Sequence, residues 1–236
     1  RLGMSVFRAL YDFVEAAPKP RMLNGKERQE VLNFVGLVPL LVGELRRPWS
    51  TTITCTDASP QGFGVCQRSL DKDQVHNLGM WQDRWRFRHL DPSEWQPRMR
   101  SQGLDPLRDH GTACAVAREE TVDDLYSYNN YFPEVSADVT EPQHWRTKMM
   151  GKWGNSSEHI TQKEGRALVL AIKRLCRSSG NRGFRHLILV DSFALCMAMC
   201  KGRASNFKLL RVMQQVSALC LAGGFTVRTK IGRAHV

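Results

Sequence analysis

Zinc-binding and disulfide patterns are both missing from this chain. Its seven cysteines are odd in number and scattered, with no Cys-x-x-Cys pair and no Cys/His spacing suited to zinc. That argues against a disulfide framework and a zinc module, and suits reduced thiols inside a cell. Cys196 and Cys200 stand one helical turn apart in an apolar run, a pattern of core packing rather than metal ligation. No apolar run reaches membrane-spanning length and no signal peptide is recognisable, so nothing in the sequence points to a membrane. Acidic residues are the scarcer charge, 23 Asp and Glu against 34 Lys and Arg, for a net charge of +11. Such an excess suits a polyanionic partner, nucleic acid by default, although a generic solvated basic surface accounts for it nearly as well. The hydrophobic share of 42% is ordinary, and 236 residues suffice for one large domain or a smaller domain with an extension. An initiating Met is also lacking: the chain opens at Arg1, as an internal piece of a longer polypeptide would.

The most informative stretch present is Thr51–Cys66. Thr51, Thr52, Ile53 and Thr54 are strand-formers, Ser59-Pro60-Gln61-Gly62 is turn chemistry, and Gly62-Phe63-Gly64-Val65 restarts an extended pattern. Asp57 therefore falls at a strand end, where a carboxylate is solvated, paired or bound to a cation. Taken alone, it reads equally well as a turn cap.

Upstream, Val6, Leu10, Phe13 and Val14 give Ser5–Ala17 a helical face ended by Pro18-Lys19-Pro20. Asn24 followed by Glu27 predicts an N-cap with its reciprocal glutamate, opening a second helix that Gly36 and Pro39 weaken or break. Residues 1–48 thus form a helical connection. Downstream, residues 70–143 read as an insertion: Trp81–Arg88 alternates bulky and charged residues like an edge strand, or less readily like a stacking surface for single-stranded nucleic acid. Asp91-Pro92-Ser93-Glu94 resembles a helix start, while Leu104–Glu134 carries few periodic signals. Its acids Glu119, Glu120, Asp123 and Asp124 read as solvated.

A third strand is expected over Trp145–Trp153, an amphipathic helix over Glu158–Cys176, and a buried strand over His186–Val190. Helices over Phe193–Cys200 and Phe207–Ala222 follow, then a last strand from Phe225 to Thr229. The order predicts a mixed α/β sheet flanked by helices, with a long insertion between its second and third strands. Ile231–Val236 coincides with the translation of a common sequencing adapter, and Lys230 fits the bases before it. Residues 230–236 are therefore set aside from the fold, a genuine basic tail being the competing reading.

Three acids occupy comparable places: Asp57 after the first strand, Glu164 in the first turns of the main helix, and Asp191 after the His186–Val190 strand. If those strands are neighbours, Asp57 and Asp191 face each other and Glu164 leans over them. Clustered carboxylates repel unless divalent cations neutralise them, and an all-oxygen donor set selects Mg²⁺ or Mn²⁺ over zinc. His159, at the helix entry, reads as a structural hydrogen-bonding residue rather than a general base.

Taken together, TDASPQGFGVC, HITQKEGRALVLAIKRL and LILVDSFALCMAMCKGRAS resemble the ribonuclease H domain of retroelement reverse transcriptases. The likeness covers roughly Thr51 to Thr229 apart from the insertion, and residues 1–48 resemble the connection from an upstream reverse-transcriptase region. It implies a ribonuclease H-like domain over residues 49–229, with Asp57, Glu164 and Asp191 as metal ligands. It further implies Mg²⁺ (or Mn²⁺) as cofactor and hydrolysis of the RNA strand of an RNA–DNA hybrid. Ser192 stands where the family usually has Asn. The family's fourth acid, in an Asn-x-Ala-Asp segment after the last strand, has no counterpart before IGRAHV. Lys201 and Arg203 are candidate phosphate contacts, though a cluster serving the helix dipole explains them equally; Ser59 is a third candidate nucleic-acid contact. Two other readings stay open: a catalytically degenerate binding or polymerase-connection module, and another nuclease or integrase of the same fold.

Overall fold

A computed structural model of the chain describes residues 2–16, 21–41, 43–44, 46–89, 126–154, 157–204 and 206–232. Two helices lead. A 3-10 turn, Leu2–Val6, precedes α1 (Ala9–Ala16), and α2 spans Gly25–Leu37. The predicted capping box opens α2: Asn24 Oδ1 accepts the amides of Lys26 and Glu27, and the Glu27 carboxylate accepts the amide of Asn24. Helix α2 ends at Leu37 and passes into a 3-10 turn over Val38–Leu40, which contains Pro39. The single helix expected over Ser5–Ala17 is instead split, because α1 has its own start. The Glu30 carboxylate, reaching over from α2, accepts the amides of Arg8, Ala9 and Leu10 at 2.9–3.0 Å. A cap supplied from another helix leaves no local sequence signature.

The main sheet holds β1 (Thr52–Ala58), β2 (Gly62–Ser69), β5 (Arg146–Lys152), β6 (Arg185–Val190) and β7 (Thr226–Ile231). Its order is β5-β2-β1-β6-β7. β5, β2 and β1 are antiparallel neighbours, whereas β6 joins β1 and β7 joins β6 in parallel. Counting only these strands, the order is 3-2-1-4-5, the mixed sheet of the ribonuclease H-like fold. As expected, the insertion lies between the second and third of them.

Helices α5 (Ile160–Cys176), α6 (Phe193–Lys201) and α7 (Phe207–Gly223) cover one face. There Leu168, Ile172, Ile188, Val190, Leu195, Met213, Val216 and Phe225 form the larger core cluster. On the other face, Trp49, Ile53, Leu70, Val75, Val139, Leu187 and Leu189 form the second. β6 therefore sends alternate residues into two cores, which is why HLILV reads as an unbroken apolar run. Each such side chain contributes about 1.5–3 kcal/mol through burial.

The second core is closed by the insertion itself. α3 (Lys72–Met80) supplies Val75, and Val139 comes from α4 (Ala137–Thr140). Gly79 lets α3 approach so closely that a Cβ there would stand 2.3 Å from the Trp49 ring. β3 (Phe87–His89) and β4 (Tyr126–Tyr128) pair as a separate antiparallel ribbon at the insertion's base. The expected helix start at Asp91–Glu94 and the acids Glu119, Glu120, Asp123 and Asp124 lie outside the described residues.

Trp81–Arg88 does not form the expected edge strand. Asp83–Trp85 is a 3-10 turn, and only the last residues of the segment enter β3. The reason is a buried polar knot. Asp83 is fully buried; its Oδ1 accepts Arg86 Nη2 at 2.8 Å and Nε at 3.2 Å. Its Oδ2 accepts the Ile231 amide at 3.1 Å and the Cys196 thiol at 3.4 Å. Arg86 also binds Glu134, and the Lys230 ammonium donates to the carbonyls of Pro133 (2.8 Å) and Leu78 (3.4 Å). β7 accordingly continues two residues past Thr229, through Lys230 and Ile231, and Gly232 donates to the Val190 carbonyl at 2.9 Å.

Candidate active site

Parallel pairing of β1 with β6 sets Thr54 against Ile188 and Cys55 against Leu189. Two further steps in this register bring Asp57 level with Asp191, on strands about 5 Å apart. β1 is also where strand direction changes, antiparallel to β2 on one side and parallel to β6 on the other. The crevice outside strand ends at such a point is where α/β sheets gather functional groups.

Glu164 comes from the second turn of α5. That helix is capped by His159, whose Nδ1 accepts the Thr161 amide at 3.3 Å, the structural role expected of it. Gly165 allows α5 to lie close against α7; a Cβ there would meet Val212 Cγ2 at 2.9 Å. Glu164 is half-buried, and burial is the main force raising its pKa above the usual carboxylate range. The Ser192 hydroxyl opposes this by donating to the carboxylate, Asp191 and Asp57 raise the pKa further, and His159 lowers it. The structure thus brings the three predicted acids within electrostatic reach of one another.

Among the described residues, no three Asp, Glu, His or Cys side chains form a finished metal cage. The donor chemistry nonetheless fits a hard cation. Glu164 Oε2 is fully buried and meets no hydrogen-bond donor, so one acceptor of a carboxylate that feels both Asp191 and Asp57 is left over. All candidate ligands are oxygens, which suits Mg²⁺ or Mn²⁺.

Ser192 serves twice. Besides binding Glu164, it caps α6 by accepting the Leu195 amide at 3.4 Å. Ser59 closes the β1–β2 turn: its Oγ accepts the amides of Gly62 (3.0 Å) and Gln61 (3.3 Å). Lys201 and Arg203 are not gathered at the acids. Asp191 precedes the start of α6, and Lys201 ends that nine-residue helix about 14 Å further along. Gly202 there is left-handed (φ 73°), and the Arg203 guanidinium stacks 3.9 Å over Tyr11 of α1.

Two residues that sequence reasoning passed over lie beside the site. Lys163 is 1% exposed, and its ammonium donates to the Pro60 carbonyl at 2.6 Å. The Trp153 indole donates to the Ser59 carbonyl at 3.1 Å, its ring 4.7 Å from that of Phe63 and 4.9 Å from the Arg166 guanidinium. Lysine on an amphipathic helix ordinarily reads as solvated, and nothing local announces a carbonyl partner a hundred residues away.

No protein-family model matches the chain, and no curated protein matches it. Among solved structures it is similar to a foamy viral protease-reverse transcriptase in complex with an RNA/DNA hybrid, at 10% identity and a TM-score of 0.26. That alignment covers 98% of this chain and 43% of the viral one, so the chain spans less than half the length of that relative.

Proposed function

We propose that this chain carries a ribonuclease H-type domain that hydrolyses the RNA strand of RNA–DNA hybrids, joined through residues 1–48 to a reverse-transcriptase region of the same polyprotein. The observation that carries the reading is the convergence of Asp57, Glu164 and Asp191 where β1 changes from antiparallel to parallel pairing. Asp57, Glu164 and Asp191 would hold Mg²⁺ or Mn²⁺, which when bound supplies activation of a water and neutralisation of the leaving oxygen in phosphodiester hydrolysis. Ser192 orients Glu164 from the start of α6 and favours its ionised, ligating form. Ser59 keeps the turn after Asp57 closed beside the site. The net charge of +11 suits a polyanionic substrate.

The test is cleavage of a labelled RNA–DNA hybrid in Mg²⁺, with duplex RNA and duplex DNA as competitors. Hybrid-selective cleavage is expected, falling by at least about 100-fold in Asp57→Asn. Undiminished cleavage by that variant would overturn the assignment. A second reading, a module that grips a hybrid without cutting it, is favoured by Ser192, which stands where the ribonuclease H family usually has Asn. Hybrid binding without cleavage, indifferent to Asp57→Asn, would select it.

A further inference from the structure

We infer that Lys163 is a positioning residue for the carboxylate site, its ammonium tying the turn that follows Asp57 to the helix that carries Glu164. The catalytic consequence rests on the ribonuclease reading; the geometry does not.

A fully buried ammonium is costly unless something specific holds it. Lys163 is among the largest fully buried side chains of the protein, and its Nζ donates to the Pro60 carbonyl at 2.6 Å. Pro60 lies three residues after Asp57, and Lys163 directly precedes Glu164. This bond therefore links the elements that bear two of the three acids. The lysine stem has the reach for this, crossing from the first turn of α5 to the β1–β2 turn.

The same turn is fastened a second time. Trp153, just past β5, donates to the carbonyl of Ser59, the residue before Pro60. Trp153 is itself packed against Phe63 of β2 and Arg166 of α5, and Arg166 is ion-paired to Glu158 at 2.5 Å. Consecutive carbonyls of one turn are thus held by donors from a helix and from the end of a strand. Within the turn, the Ser59 amide donates to the Gly62 carbonyl at 2.8 Å, and Ser59 Oγ accepts the Gly62 amide at 3.0 Å. Acids that repel one another drift apart unless their supports are fixed, and a ligand set works only when held close to its productive spacing. Lys163 and Trp153 supply that fixing without touching substrate. A lysine that merely filled core volume would be replaced by methionine without consequence for the turn.

Lys163→Met and Trp153→Phe separate these possibilities; the second removes only an N–H and keeps an aromatic ring, so it remains informative if the first fails to fold. Three quantities are measured on each: amide hydrogen exchange along the chain, Mg²⁺ binding by calorimetry, and steady-state cleavage of the hybrid. The Ser59 and Gly62 amides are expected to exchange about tenfold faster, with β6 and β7 amides unchanged. Half-saturating Mg²⁺ should rise about tenfold in Lys163→Met and less in Trp153→Phe. The KM for hybrid should stay within about twofold while kcat falls about tenfold, since only the spacing of the acids has moved. Unchanged turn exchange, a uniform rise over the whole chain, or unaltered Mg²⁺ binding in both variants would overturn the inference. If the parent protein neither binds Mg²⁺ nor cleaves, the ribonuclease reading falls, and the exchange pattern by itself still decides whether Lys163 holds the turn.

Discussion

At the open end of β1 and β6, three acids converge, and Glu164 Oε2 has no donor. At the root of the insertion, two acids and two cations converge, and both oxygens of Asp83 are engaged. The second cluster is neutral in sum, with only Glu134 reaching the surface: Asp83, Arg86, Glu134 and Lys230 satisfy one another or nearby carbonyls and bind the insertion to the last strand of the sheet. The first gathers three carboxylates, is partly open to water, and leaves Glu164 Oε2 without a donor. A balanced polar cluster can serve as architecture, whereas an unbalanced one leaves room for a counter-charge from outside the chain.

This contrast can be broken by substitutions of opposite effect. The largest change is expected from Asp83→Ala, which leaves the Arg86 charge buried beside a missing partner and the Ile231 amide without its acceptor. A loss of about 3–5 kcal/mol is expected, read as a lower denaturant midpoint in chemical unfolding. Ser192→Ala comes next, at about 1 kcal/mol for the lost α6 cap. It also takes a donor from Glu164, so the carboxyl midpoint of Glu164, followed by NMR, should move up. The smallest change, and one of opposite sign, is expected from Glu164→Gln, which should raise Tm by about 2 °C at neutral pH. Because folding raises the Glu164 pKa, its contribution to stability is fully present below the unfolded-state carboxyl range and is lost as pH rises through the folded-state value. The advantage of Gln should therefore shrink on acidification and vanish near pH 4. A Glu164→Gln protein less stable than its parent at neutral pH would show that the acid site is balanced after all.

His186 extends the pH argument to the core. Burial holds its pKa below the ordinary histidine value, against the bond its ring makes with the Asn181 carbonyl. Its neutral form therefore supports the fold above the normal histidine range, and that support is lost as pH falls below it. A His186→Gln variant should flatten the part of the stability profile between about pH 7 and pH 5.

Local patterns announced much of this architecture. Asn24 and Glu27 made their capping box, Trp145–Trp153 contained β5, and HLILV became a strand buried on both faces. The relation of Asp57 to Asp191 was legible only as a condition: each was placed at a strand end, and their meeting depended on those strands being neighbours, which the parallel β1–β6 pairing supplies. What stayed hidden depends on partners distant in the chain. Trp81–Arg88 alternates like a strand, yet Asp83 turns inward to meet Ile231 and Cys196, and the backbone bends into a 3-10 turn to let it. Glu30 starts a helix to which it does not belong, and Lys163 points at Pro60 rather than at water. The polar knot likewise draws on Lys230, whose burial no periodicity marked.

The position of β1 has a consequence for the order in which the protein assembles. Its pairing with β2 closes across a turn of three residues, whereas its pairing with β6 must bring Thr54 to Ile188 across the insertion, β5 and α5. Contacts so far apart in sequence carry the entropy of loop closure and form slowly. The hairpin carrying Asp57 is thus expected early and the strand leading to Asp191 late. A chain still being folded would hold its acids apart, and any affinity for divalent ions would appear only when the sheet is complete.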